Sequence, residues 1–162
     1  MSIQSQYQTL FAFHWHTTRR LLELASRLDE VDYKYSPGYG HGSIHDLFFH
    51  LLSTDRIWRM ALQTGRQLAS LHLRDYPDLQ SLVRALEAEQ QDWQALLDGL
   101  SAAEIEADVA LTNWRGEPYI IPRWRVLQHV VLHGMQHHAE LARLLTAKGQ
   151  SPGDLDFIFF SE

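Results

Sequence analysis

With 162 residues, 45% of them hydrophobic and 21% charged, the chain has the size and usage of one globular domain, and folding at this length hides roughly 70% of the extended chain's surface. A net charge of −6 with neutral histidines and a pI of about 5.9 leave no basic footprint for gripping a phosphate backbone, so nucleic acid is excluded as an expected partner. Ten histidines stand beside no cysteine, which removes disulfides, thiolate metal sites, iron–sulfur clusters and cysteine nucleophiles and leaves imidazole as the chemical resource.

The first element runs from about Gln4 to Asp29, where Leu10, Phe13, Thr17, Leu21, Leu24 and Leu28 recur at helical spacing. His14 and His16 break its apolar opening and no basic region precedes it, so it reads as an amphipathic helix rather than a signal peptide. No run approaches the ~20 apolar residues of a membrane span, and the expected location is the cytoplasm. The stretch DEVDYKYSPGYGHGS, dense in Pro, Gly and Tyr, reads as a loop ending at Ser43, which is placed to cap a second helix with Asp46 three residues on. That helix, SIHDLFFHLLSTDRIWRMALQ, carries Ile44, Leu47, Phe48, Leu51, Leu52, Ile57, Trp58 and Leu62 on a wide apolar face.

A third helix is expected from about Asp78 to Leu97, buried through Leu79, Leu82, Leu86, Trp93, Leu96 and Leu97, with Pro77 in its first turn. After Leu100 the pattern changes. SAAEIEADV holds one further helical turn, and the alternation around Arg115-Gly116 reads as an extended or hairpin connection. The last helix starts near Pro122 and ends at Lys148-Gly149, and the apolar tail LDFIFF is expected to pack back on the bundle. Four long helices predict an all-α fold, a four-helix bundle over residues 1–162 as one domain, with an irregular or hairpin connection before the last helix.

The last helix places His129, His133 and His137 four residues apart, so the three imidazoles form a stripe along one face, among Val126, Val130, Leu141 and Leu144. A buried ring nitrogen without a partner costs on the order of 1–3 kcal/mol; a divalent metal supplies that partner. Two histidines at i and i+4 can share one metal, and a third ligand must come from elsewhere in the fold. His50 in the second helix, set among Leu47, Phe48, Phe49, Leu51 and Leu52, is the candidate. His50, His133 and His137 would then form a three-histidine site with open coordination positions. His138 points about a third of a turn away and is expected beside the ligands or exposed; His14, His16, His41, His45 and His72 have weaker cases.

His50 in HDLFFHLLSTDRIW, the segment WRVLQHVVLHGMQHHAEL and the ending AKGQSPGDLDFIFF together resemble the DinB-like superfamily of metal-binding helical bundles, also called DinB/YfiT-like. The resemblance spans nearly the whole chain, through the order of four helices, the irregular segment before the last, and the tail with Gly149, Pro152 and Asp156. It implies a divalent metal, nickel or zinc, on His50, His133 and His137. His129 matches an upstream histidine that orients a ligand or hydrogen-bonds a metal-bound water, and Asp55 matches a carboxylate found after the helix-two ligand. Where many members end the motif His-Arg-Gly-Gln, this chain reads His137-His138-Ala139-Glu140 and lacks that arginine and glycine.

Characterised relatives include S-transferases and isomerases that use bacillithiol or mycothiol. The resemblance therefore implies a metal-dependent transferase joining a low-molecular-weight thiol cosubstrate to a small-molecule electrophile, in a homodimer. Two other readings stand beside it: metal-dependent hydrolysis, and a non-enzymatic stress-related dimer whose metal is structural. Trp58, Trp114, Tyr119, Arg123 and Arg125 are candidate pocket residues by their place near the ends of ligand-bearing helices or in the connection between helices three and four.

Overall fold

The computed structural model of the chain describes residues 2–68 and 71–161. Four long helices, α1 (Ile3–Ala25), α3 (Ile44–Thr64), α4 (Leu79–Gly99) and α6 (Arg123–Ala147), form the expected bundle. Two short helices, α2 (Glu30–Tyr33) and α5 (Ala102–Glu106), and one antiparallel hairpin, β1 (Asp108–Thr112) with β2 (Pro118–Pro122), lie between them. The hairpin pairs Asp108 with Pro122 and Thr112 with Pro118, and it is the connection expected before the last helix.

Helix boundaries follow local chemistry. Ser43 and Asp46 make a reciprocal capping box at α3: Ser43 Oγ accepts from the Asp46 amide at 3.1 Å and Asp46 Oδ2 accepts from the Ser43 amide at 2.8 Å. At α4 the capping residue is Asp78, so Pro77 lies just outside the helix and not in its first turn. α1 stops at Ala25, four residues before the expected end, because Asp29 turns to capping α2, where its side chain accepts from the Asp32 amide. α6 ends as expected, with Lys148 at the cap and Gly149 in the left-handed region at φ 77°.

α1 packs mainly against α6 and α4, and α3 also packs mainly against α6 and α4. Around the bundle the order is thus α1, α6, α3, α4, and the connections α1 to α3 and α4 to α6 both cross a diagonal. This accounts for their length and for the secondary structure they carry, since neighbouring helices need only a few linking residues. The core gathers Phe11, Leu21, Phe48, Leu51, Trp93, Leu127 and Leu141 at its centre. A buried ion pair ties α3 to α4, with Arg59 donating from Nε and Nη2 to Glu89 at 2.5 and 2.8 Å. Only part of the tail packs back: Phe157 and Phe160 meet Phe13 at ring separations of 5.2 and 5.5 Å, while Phe157 keeps its other side exposed and Ile158 and Phe159 are exposed more fully.

Candidate metal centre

α3 and α6 lie side by side, and His50 of α3 meets the histidine row of α6. His133 Nε2 lies 3.0 Å from His50 Nε2 and 3.1 Å from His137 Nε2. The loop before α3 brings a fourth ring: His41 stacks on His50 with centroids 4.1 Å apart and meets His137 edge-on at 4.7 Å. One nitrogen from each of His41, His50 and His137 falls within 4.8 Å of the others. Burial, followed by the neighbouring histidine charges, pushes His50 down to about 4 and His133 down to about 3, and burial also lowers His137. The rings of His50, His133 and His137 are therefore uncharged at neutral pH.

Uncharged imidazoles in this arrangement have a hydrogen-bonding problem. A neutral ring nitrogen either donates or accepts one bond in its ring plane, yet His133 Nε2 faces two other nitrogens. Ligand nitrogens held ~2.0–2.1 Å from one ion lie roughly 3 Å apart when the bond angles are near 90°, so the spacing and the neutral donor set both fit a divalent cation. Glu140 Oε2 lies 3.3 Å from His137 Nδ1, the carboxylate-to-histidine arrangement that orients a ligating imidazole.

A family model described as DinB family matches residues 1–162. The chain belongs to the DinB family. Its fold is similar to YfiT from Bacillus subtilis, described as a probable metal-dependent hydrolase with an unusual four-helix bundle topology, at a TM-score of 0.69 and 15% identity, covering 93% of this chain and 91% of that one. It is also similar to a DinB-like protein, YjoA, from the same organism, at a TM-score of 0.63 and 17% identity, covering 89% of this chain and 93% of that one. No curated protein sequence matches the chain.

In this DinB family member Asp55 lies away from the histidine cluster. It is fully buried, and its Oδ2 pairs with His14 Nε2 of α1 at 3.1 Å across the bundle's diagonal. His14 in turn packs on the backbone of Gly134: a Cβ built there would come within 2.2 Å of His14 Nδ1. His138 is fully buried, which decides between the two positions expected for it. Its Nε2 lies 2.8 Å from Thr18 Oγ1, its ring 5.0 Å from that of His14, and burial holds its pKa well below the usual histidine value. Beneath the cluster there is thus a polar layer, His14, Thr18, Asp55 and His138, that spacing along the chain did not reveal. Among the described residues the buried side-chain atoms without a hydrogen-bond partner are His14 Nδ1, Asp55 Oδ1 and His138 Nδ1 of this layer, His133 Nδ1 of the cluster, and Thr17 Oγ1, whose residue lines a pocket with the C-terminal tail.

The remaining candidates divide. His129 is exposed, one turn before His133 with rings 5.8 Å apart, and it meets Trp58 edge-on at 5.2 Å. Trp58 therefore borders the histidine row. Trp114 is exposed at the hairpin tip beneath Arg115, Tyr119 accepts from Gln67, Arg123 donates to the Glu104 carbonyl, and Arg125 is exposed. Among the described residues no hydrogen bond, ion pair or ring contact joins any of these four to the cluster. His41, Glu140 and His138 are the residues that sequence reasoning undervalued. The signal for His138 and Glu140 was their position at the end of the last-helix motif.

Proposed function

We propose that this DinB family member is a metal-dependent enzyme that joins a low-molecular-weight thiol to a small electrophile, with His50, His133 and His137 holding a divalent ion, nickel or zinc. The observation that carries this reading is the meeting of their three Nε2 atoms, 3.0 and 3.1 Å from the central one, in rings that burial keeps neutral. Bound there, a divalent ion keeps its full charge among uncharged ligands and supplies Lewis acidity that favours ionisation of a thiol. Glu140 holds the orientation of His137, and the stacked His41 braces His50. His129, exposed beside the row, takes the S–H proton on a ring nitrogen. The sulfur pair then forms the bond to the electrophilic carbon, and the leaving group departs with its bonding pair. Asp55 is a positioning residue acting through His14. The chain has no cysteine, so the sulfur arrives on the cosubstrate.

Hydrolysis of a small substrate is the second reading, favoured by the description of YfiT and by an ion with three protein ligands being equally able to activate water. One experiment separates the two. Metal-loaded protein and chelator-stripped protein are assayed with a general aromatic electrophile, with and without added thiol. Thiol-dependent conjugation lost on chelation is the expected result; unchanged activity in the stripped protein overturns the metal requirement, and metal-dependent turnover without thiol establishes hydrolysis instead. The proposal extends to a cytoplasmic homodimer, for which exposed Trp124 and Leu132 of α6 offer packing surface; a monomer by light scattering at working concentration contradicts that part.

A further inference from the structure

A cavity of about 310 Å³ lies beside the histidine cluster, between the loop before α3 and the last turns of α6. It shares two walls with the cluster: His41, which stacks on His50, and Glu140, which bonds His137. Pro37, Leu47 and Leu144 give it an apolar body. The one permanent cation lining it is Arg143, which has no carboxylate within ion-pairing distance among the described residues. Its guanidinium lies 5.0 Å over the Tyr39 ring and donates one hydrogen bond to the Tyr39 hydroxyl. A guanidinium has five N–H donors in a planar fork, so most of this exposed fork is open to solvent or a ligand, and an aromatic face holds it in place.

We propose that this cavity binds a small molecule with an apolar body and a carboxylate at one end, Arg143 receiving the carboxylate while the other end reaches past His41 to the ring nitrogens. Planar bidentate pairing is what an arginine fork does best with a carboxylate. A singly charged group suits the site better than a phosphate dianion, because Glu140 lines the same wall. Arg143 is thus a specificity residue for one of the two reactants. The inference rests on the proposed function for the identity of the chemistry at the far end, and on the cavity alone for the carboxylate.

The test uses the full chain loaded with cobalt(II), titrated with 3-mercaptopropionate and with its uncharged methyl ester, following the sulfur-to-cobalt absorption. The acid is expected to bind about tenfold more tightly than the ester, the effect of one charge-assisted pair. Arg143→Gln should bring the acid down to the ester's affinity with an unchanged cobalt spectrum before thiol is added, and Arg143→Lys should keep part of the preference. Equal affinity of acid and ester in the unaltered protein, or an undiminished preference in Arg143→Gln, overturns the inference. A second arm needs no metal: 3-phenylpropionate, and not 3-phenylpropanol, should shift the Arg143 side-chain NMR resonance. A response there with no thiol absorption on cobalt upholds the carboxylate site and overturns the proposed thiol chemistry. Silence there with both thiols bound alike overturns the carboxylate site and upholds thiol binding.

Discussion

Gly134 is the residue whose smallness the site most requires, because the His14 ring occupies the place where a Cβ would stand. His14 is fully buried and tied to Asp55, so it has nowhere to go. Gly134→Ala is expected to destabilise the protein by about 1–3 kcal/mol through overpacking, despite alanine's better helix propensity. Gly99→Ala, in a helical position with nothing nearby, should be neutral or stabilising by up to ~1 kcal/mol. Urea denaturation of the two variants checks the contrast. At this scale the sequence was legible where residues repeat along one helix: the four-residue steps of His129, His133 and His137 were readable without a fold. Pairs joined only by packing were not. His14 with Asp55 and Thr18 with His138 are 41 and 120 residues apart, and no periodicity couples them.

The elements were more legible than the pairs. Ser43 with Asp46, and Gly149 after Lys148, are local devices whose chemistry works within one turn, and both ends fall where the sequence put them. The misread ends, α1 near Asp29 and α4 near Pro77, come from acidic side chains whose capping role competes with simple periodicity. Removing the box with Asp46→Ala should cost about 1 kcal/mol, read as a lower urea midpoint, and should loosen the loop carrying His41. The short α2 is tied to α3 by Tyr33, whose hydroxyl lies 3.0 Å from His45 Nδ1. Burial lowers the His45 pKa from the usual 6.5. The unfolded chain therefore binds the proton first, and the stabilising contribution of the neutral ring, full above pH 6.5, is lost as pH falls below it. The drop in urea midpoint from pH 7.5 to 5 should be smaller in His45→Gln than in the unaltered protein; an equal drop contradicts this role.

For the whole molecule, four helices and their long connections were readable from hydrophobic period and turn residues, whereas the order α1, α6, α3, α4 around the bundle was not. That order depends on which faces pack, a property of the assembled core. It matters chemically, because it sets α3 beside α6 and so brings His50 to His133, and it lets α1 send His14 across the diagonal to Asp55. The buried Arg59–Glu89 pair helps keep α3 against α4. Glu89→Ala, which leaves the guanidinium with the exposed Asp92 carboxylate and the Gln63 side-chain amide, should cost up to ~3–5 kcal/mol in a denaturant titration.

The central claim is that His50, His133 and His137 hold a divalent ion. Its most direct test is the metal content of the purified protein, by mass spectrometry of the elements, beside that of the three single alanine variants. The account predicts roughly one nickel or zinc per chain, as expected of a three-histidine site, and its loss in His133→Ala above all, whose nitrogen is central to the cluster. A folded protein that takes up no stoichiometric metal when offered either ion, or a His133→Ala variant that keeps it, would contradict the claim.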